Sequence, residues 1–188
     1  MSIHKQRKLQ IGVMGSAADL KYSDELQELA EKVGHELAKR NANLVFGAEK
    51  DYDSLSTAAG RGARAAGGMT VGITYGKDLN TFESADIIIA TGLERGGGRE
   101  FSLVLSCDAI ITISGGSGTL NEMVVAYQAG VPIIALRNTG GWSDKMADQY
   151  FDDRKRAKVL GADTAEEAVE LAISQATGHS DRVEHEHL

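Results

Sequence analysis

Arg99, Glu122 and the stretch between them, Ser114-Gly115-Gly116-Ser117-Gly118-Thr119, carry the residue types that chemistry on a phosphorylated small molecule requires. Glycines without side chains let a ligand approach bare backbone and let the chain adopt φ > 0. A helix beginning at this loop presents unsatisfied N–H groups and about half a positive charge, which together form an anion site. Gly115, Gly116, Ser117, Gly118 and Thr119 are therefore the expected phosphate contacts. Glu122 falls in the first turn of that helix, close to a sugar whose phosphate sits on the loop. Arg99 lies 15 residues before Ser114, where a flexible loop becomes a helix. A carboxylate beside a sugar can stabilise an oxocarbenium-like state and orient water, which is the chemistry of glycosidic bond cleavage. Two plainer readings stay open. The glycines could serve only a tight turn, and Glu122 could merely complement the helix dipole with Arg99 as its ion-pair partner.

The elements that must position these residues alternate in type. Ala109–Ile113 is an apolar, β-branched run, as expected for a strand buried on both faces. The loop follows, then a helix with Leu120, Met123, Val124 and Tyr127 on one stripe, ended by Gly130. Val131–Leu136 is the next strand. Earlier in the chain, Leu9–Met14, Leu44–Phe46, Met69–Thr74 and Asp86–Ala90 read as strands, and Lys158–Leu160 as a short final one. Ser23 and Ser54 are placed to cap helices running to about Arg40 and Ala66. Arg99–Ser106 should be helical, with Phe101, Val104 and Leu105 facing the core. Ser143 is placed to cap a short helix through Tyr150, and Thr164 with Glu167 forms a capping box for a helix through Gln175. The expectation is a single Rossmann-like three-layer α/β/α domain over residues 9–177, with a mostly parallel sheet of about six or seven strands. Residues 1–8 read as an extension and 178–188 as a flexible tail.

Composition narrows the function. The 188 residues carry a net charge of −7, which disfavours nucleic acid as a partner. No apolar run reaches the roughly 18 residues of a membrane helix, and no signal-peptide apolar segment follows the basic start. Cys107 is the only cysteine, which suits a cytoplasmic protein and reads as a buried, inert thiol. The 22 glycines cluster after the strands, where open α/β sheets bind ligands. Gly15 and Ser16, after the first strand, are thus candidate nucleotide contacts, with a simple strand-to-helix turn as the alternative. The acids of Gly47–Asp53 read as a solvated loop rather than a metal site, Arg61 and Arg64 as surface charges, and His185-Glu186-His187 as tail. No metal and no required cofactor is expected.

Ser114-Gly-Gly-Ser-Gly-Thr-Leu-Asn-Glu122 resembles the P-G-G-x-G-T-x-x-E motif of the Lonely Guy family, cytokinin-activating phosphoribohydrolases once called lysine decarboxylases. Arg99, Asp108, the opening Gly12-Val-Met-Gly-Ser-Ala17 and Ala65–Ile73 are similar to that family's pattern, so the resemblance spans roughly Leu9–Leu136. It implies Arg99 and Glu122 as catalytic residues for hydrolysis of a nucleoside 5′-monophosphate, and a homodimer or homotetramer. Ser114 departs from the motif's proline, Glu100 from a lysine, and Gly47-Ala48-Glu49-Lys50-Asp51 from a glycine-rich run. These departures resemble the molybdenum-cofactor carrier-like branch, which implies binding of a nucleotide or a molybdopterin-type ligand without turnover. A DNA-processing protein with a related core is disfavoured by charge. Amino-acid decarboxylation is disfavoured because no lysine has a recognisable Schiff-base setting.

Overall fold

The computed structural model of the chain describes residues 7–94, 96 and 98–185. Seven strands form one sheet: β1 (Gln10–Gly15), β2 (Asn43–Gly47), β3 (Thr70–Thr74), β4 (Ile87–Ala90), β5 (Ala109–Ile113), β6 (Ile133–Leu136) and β7 (Leu160–Ala162). Their order is β4-β3-β2-β1-β5-β6-β7, and every neighbouring pair is parallel. The expected α/β/α architecture is borne out. The order reverses between β1 and β5, so the loops after these two strands diverge and leave a crevice at the carboxyl end of the sheet.

Among the described residues six α-helices cover the sheet: α1 (Asp24–Lys39), α2 (Leu55–Ala65), α3 (Arg99–Leu105), α4 (Ser117–Ala129), α5 (Gly141–Met146) and α6 (Ala165–His185). Helices α1, α2 and α6 pack with Ile11, Val13, Phe46 and Ile111 on one face. Helices α3, α4 and α5 pack with Val45, Ile73 and Ile110 on the other. Fully buried Ile and Val runs are what a parallel sheet covered on both faces demands. Ser23 and Ser54 cap α1 and α2 as expected, through bonds from the Leu26 and Thr57 N–H groups at 3.4 and 3.0 Å. Helices α1 and α2 cross on glycines. A Cβ on Gly34 would lie 1.8 Å from the Ala59 carbonyl oxygen, and one on Gly62 the same distance from that of Glu31.

Several expectations are corrected. Phe101 and Leu105 face outward, 55% and 59% exposed, because the first turn of α3 commits Arg99 and Glu100 to the interior. That phase turns Leu103 and Val104 to the core and the stripe four residues wide to the surface. Val124 is likewise exposed, and Ile87 and Ile89 on the edge strand β4 lie uncovered. Ser143 is not a cap. It sits inside α5, fully buried, and its hydroxyl donates to the carbonyls of Thr112 and Leu136 at 2.8 and 3.0 Å. The last strand begins at Leu160 rather than Lys158, and α6 continues past Gln175 to His185. Arg61 is no plain surface charge: it ties α2 to Asp53 and Glu31, at 3.0 and 3.3 Å. The His185-Glu186-His187 reading lies outside the described side chains. Among the described residues, no helix is long and apolar enough to cross a membrane.

Candidate functional site

A cavity of about 420 Å³ opens where the loops after β1, β2 and β5 meet the first turns of α3 and α4. Gly15, Arg99, Gly116, Ser117, Gly118, Thr119 and Glu122 all line it, so the structure brings together most of the residues singled out from sequence. Ser16 and Gly115 are the exceptions, and the Gly115 N–H, expected on a phosphate, is taken by Ser16. Its hydroxyl accepts the Gly115 N–H at 2.8 Å and donates to the Ser114 hydroxyl at 3.0 Å, so it fixes the glycine loop from behind. Gly15 is held close to its neighbours as well: a Cβ there would come within 2.7 Å of Leu55 Cβ and 3.0 Å of the Ile113 carbonyl.

The loop's conformation explains its composition unevenly. Gly115 has φ 99°, and a side chain on it would collide with Thr119 at 2.5 Å. Gly116 is bare for a different reason, since a Cβ would meet the Leu20 side chain at 2.8 Å. Ser114 has φ 55°, which a proline ring, locked near −65°, cannot adopt. The departure from the motif's proline is therefore a real change of backbone. The first backbone bond of α4 runs from the Leu120 N–H to the Gly116 carbonyl at 3.0 Å. The N–H groups of Gly116, Ser117, Gly118 and Thr119 have no acceptor among the described residues, and no side chain caps the helix. Four free donors at the positive end of a 13-residue helix form an anion site on the cavity wall.

Opposite the loop lies a buried charge cluster. Arg99 is 5% exposed and reaches Glu49 at 3.3 Å and Glu100 at 3.6 Å. Its Nε and the Oε2 of Glu100 are buried without a hydrogen-bond partner. Gly47 makes room for the guanidinium, because a Cβ there would lie 3.0 Å from Nη1. Glu49 thus belongs to the site, not to a solvated loop as its sequence neighbours Asp51 and Asp53 suggest. The glycine directly after a buried strand was the one signal that this turn faces the crevice. Of the neighbouring acids, Asp53 is engaged by Arg61. Among the described residues no group of three His, Cys, Asp or Glu side chains is placed to hold a metal ion.

Glu122 is not the ionised carboxylate expected from the helix dipole. It is 7% exposed, and burial pushes its pKa to about 8, against the pull of Arg99 and with the nearby carboxylates of Glu100 and Glu49 adding to the rise. Glu122 is the sixth residue of α4 and not in its first turn as expected, so the dipole reaches it weakly, and desolvation outweighs the pull of Arg99. Nor does Arg99 pair with Glu122: no hydrogen bond or ion pair joins Glu122 to a described residue. The result is a protonated carboxylic acid at neutral pH, facing an anion site. Two other residues of interest serve structure. Asp108 accepts Arg7 at 2.6 Å and the Gln10 N–H at 2.8 Å at the amino end of β1 and β5, away from the crevice. Burial raises the Cys107 thiol far above the range of a nucleophile, and the thiol faces the Leu103 carbonyl at 3.2 Å.

The sheet order and the crevice at its reversal define a Rossmann-like α/β protein whose glycine loop opens the helix after the fifth strand. The chain belongs to the SLOG cluster4 family, whose profile matches residues 8–169. It is 32% identical over 129 residues to an uncharacterised protein of Archaeoglobus fulgidus, covering 69% of this chain and 80% of that one. A cytokinin riboside 5′-monophosphate phosphoribohydrolase of Mycobacterium marinum is 27% identical over 78% of this chain and 84% of its own length. Among solved structures, the molybdenum cofactor binding protein of Rippkaea orientalis superposes with a TM-score of 0.76 at 29% identity, over 90% of this chain and 98% of that one. The resemblance to the Lonely Guy superfamily and its molybdenum-cofactor carrier-like branch is borne out.

Proposed function

We propose that the chain binds a phosphorylated nucleotide or pterin-type ligand in this crevice and that Glu122 acts as the acid in cleaving an N-glycosidic bond of a nucleoside 5′-monophosphate. The observation that carries the reading is a buried carboxylic acid, pKa about 8, beside four unpaired amide donors. With the phosphate on the Gly116–Thr119 amides, the sugar lies between the loop and Glu122. Glu122 gives its proton to the leaving base nitrogen as the C1′–N bond breaks. The carboxylate left behind stabilises the oxocarbenium-like sugar, water adds at C1′, and the water's proton returns to Glu122. Arg99, through its unpartnered Nε, holds a ligand hydroxyl or phosphate oxygen. No metal or cofactor enters this scheme.

A second reading, binding without turnover, is favoured by the neutralisation of Arg99. Two carboxylates already satisfy part of its guanidinium, which weakens its hold on an anion. The similarity to a molybdenum cofactor binding protein supports the same reading. Chromatography of free base after incubation with a panel of nucleoside monophosphates separates the two. Release that disappears in Glu122→Ala establishes the hydrolase; no release, with the same ligands raising the melting temperature, establishes a carrier.

The exposed stripe of Phe101 and Leu105 on α3, with Ile87 and Ile89 uncovered on the same face of the sheet, supports a homo-oligomer that covers them. The lone buried thiol fits a reducing cytoplasm.

A further inference from the structure

A second cavity of about 490 Å³ lies against the first, on the other side of the sheet's reversal point, between the loops after β1, β5 and β6. Leu20 and Gly116 line both cavities and separate them. Leu20 belongs to a short 3-10 turn, Ala18–Leu20, and is 54% exposed. It is a side chain laid over a bare glycine rather than a wall of backbone.

The two chambers differ in charge. The first is lined by Asp19, Glu49, Glu100 and Glu122, with Arg99 as its cation. The second is lined by Lys21 and Lys145, and by no Asp or Glu. Neither lysine ion-pairs with a described carboxylate. Lys145 Nζ sits 4.5 Å from the centroid of the Trp142 ring, another lining residue, so its ammonium is held at this chamber rather than free to wander. Lys21 has φ 51°, a left-handed backbone that ordinary side chains rarely adopt, and it brings a second cation to the same wall. In a chain of net charge −7, two unpaired cations lining one cavity beside an anion-binding loop point to a further anionic group.

We propose that the second cavity takes the second phosphate, and what that phosphate carries, of a pyrophosphate-bridged ligand. The inference rests on the phosphate-loop reading above and extends it. The first phosphate sits on the Gly116–Thr119 amides with its nucleoside or pterin in the acidic chamber. The second passes Leu20 and lies between Lys21 and Lys145. Open α/β sheets hold pyrophosphate-bridged dinucleotides across the reversal point for the same geometric reason: diverging loops leave room on both sides of the central helix start.

The test uses base-free probes, because the base is not what is being asked. Inorganic phosphate and pyrophosphate are titrated by ³¹P NMR and thermal shift into the wild type, Lys21→Asn, Lys145→Ala, Lys145→Arg and Gly118→Val. Pyrophosphate should bind the wild type about tenfold more tightly than phosphate, the gain of one further charge-assisted contact. Lys21→Asn and Lys145→Ala should remove that advantage and leave phosphate affinity unchanged, while Lys145→Arg restores it. Lysine variants that weaken both probes equally, or neither, would overturn the second subsite and leave the loop reading standing. If neither probe binds, or Gly118→Val binds both as well as the wild type, the loop reading fails and the second subsite fails with it.

Discussion

Replacing Glu122 by Gln should make the protein more stable at neutral pH. The carboxyl is buried, and its pKa moves from 4.5 to about 8 on folding, with burial as the largest cause. Glutamine has the shape of the protonated acid but cannot ionise. Below pH 4.5 both the folded and the unfolded wild type hold the proton, so the substitution should change little. Between 4.5 and about 8 only the unfolded chain releases it, so wild-type stability falls as pH rises; above 8 the loss is complete. At pH 7 the gap to 4.5 is about 2.5 pH units, worth about 3 kcal/mol at 1.36 kcal/mol per unit. For a chain of 188 residues that is a rise in melting temperature of roughly 6–12 °C. Calorimetric or fluorescence melts of both proteins at pH 4.5, 6, 7 and 8.5 measure it. A gain that is the same at every pH, or absent at pH 8.5, would refute the burial argument and with it the acid role of Glu122.

On the hydrolase reading, base release should fall as pH rises through about 8, because the proton donor is lost there; a rate that climbs through this range would assign Glu122 another role. Gly118→Val should abolish binding of phosphorylated ligands while leaving the melting temperature nearly unchanged, since a Cβ at Gly118 meets nothing within 4 Å of protein; calorimetric titration checks it. Arg99→Gln should cost about 3–5 kcal/mol in urea unfolding at neutral pH, because Glu49 and Glu100 lose their buried cation; an unchanged unfolding midpoint would refute it. Phe101→Glu should shift sedimentation towards the monomer without changing the circular dichroism spectrum, because its ring is exposed and makes no core contact.

The fold was legible because parallel strands buried on both faces write themselves as runs of Ile, Val and Leu, as at Ala109–Ile113, with glycines at their carboxyl ends. That the loop and Glu122 share one cavity was legible because a glycine loop that opens a helix after a buried strand is written locally in the sequence. What was hidden depended on contacts distant in sequence. Nothing near Phe101 and Leu105 says that Arg99 and Glu100 turn inward and rotate α3, since that phase is set by the crevice, 50 residues away at Glu49. Nothing near Ser143 says that its hydroxyl bridges β5 and β6 instead of capping a helix. The protonation of Glu122 was missed for the same reason. Its own helix is read locally, whereas the burial that holds its proton comes from the packed crevice it shares with Arg99, Glu100 and Glu49.

That burial bears on which ligands the crevice can hold. On the proposed reading a phosphate here is bound chiefly by neutral amide donors, because the Arg99 guanidinium is shared between Glu49 and Glu100. The orphaned Oε2 of Glu100 needs a donor, and no described residue supplies one. On the proposed reading its partner comes from the ligand as an N–H or O–H, such as an exocyclic amine or a sugar hydroxyl. A ligand that carries an anionic group to the loop and presents donors to the opposite wall satisfies both sides at once, whereas a simple dianion would satisfy one and leave the buried carboxylate unpaired. On that reading Glu100, where the resembling family has lysine, changes the requirement on the ligand from accepting hydrogen bonds to donating them. If Glu100→Lys increased affinity for simple phosphate monoesters and lowered it for amino-substituted nucleotides, that change of requirement would be confirmed; the reverse order would place the orphaned oxygen outside ligand recognition.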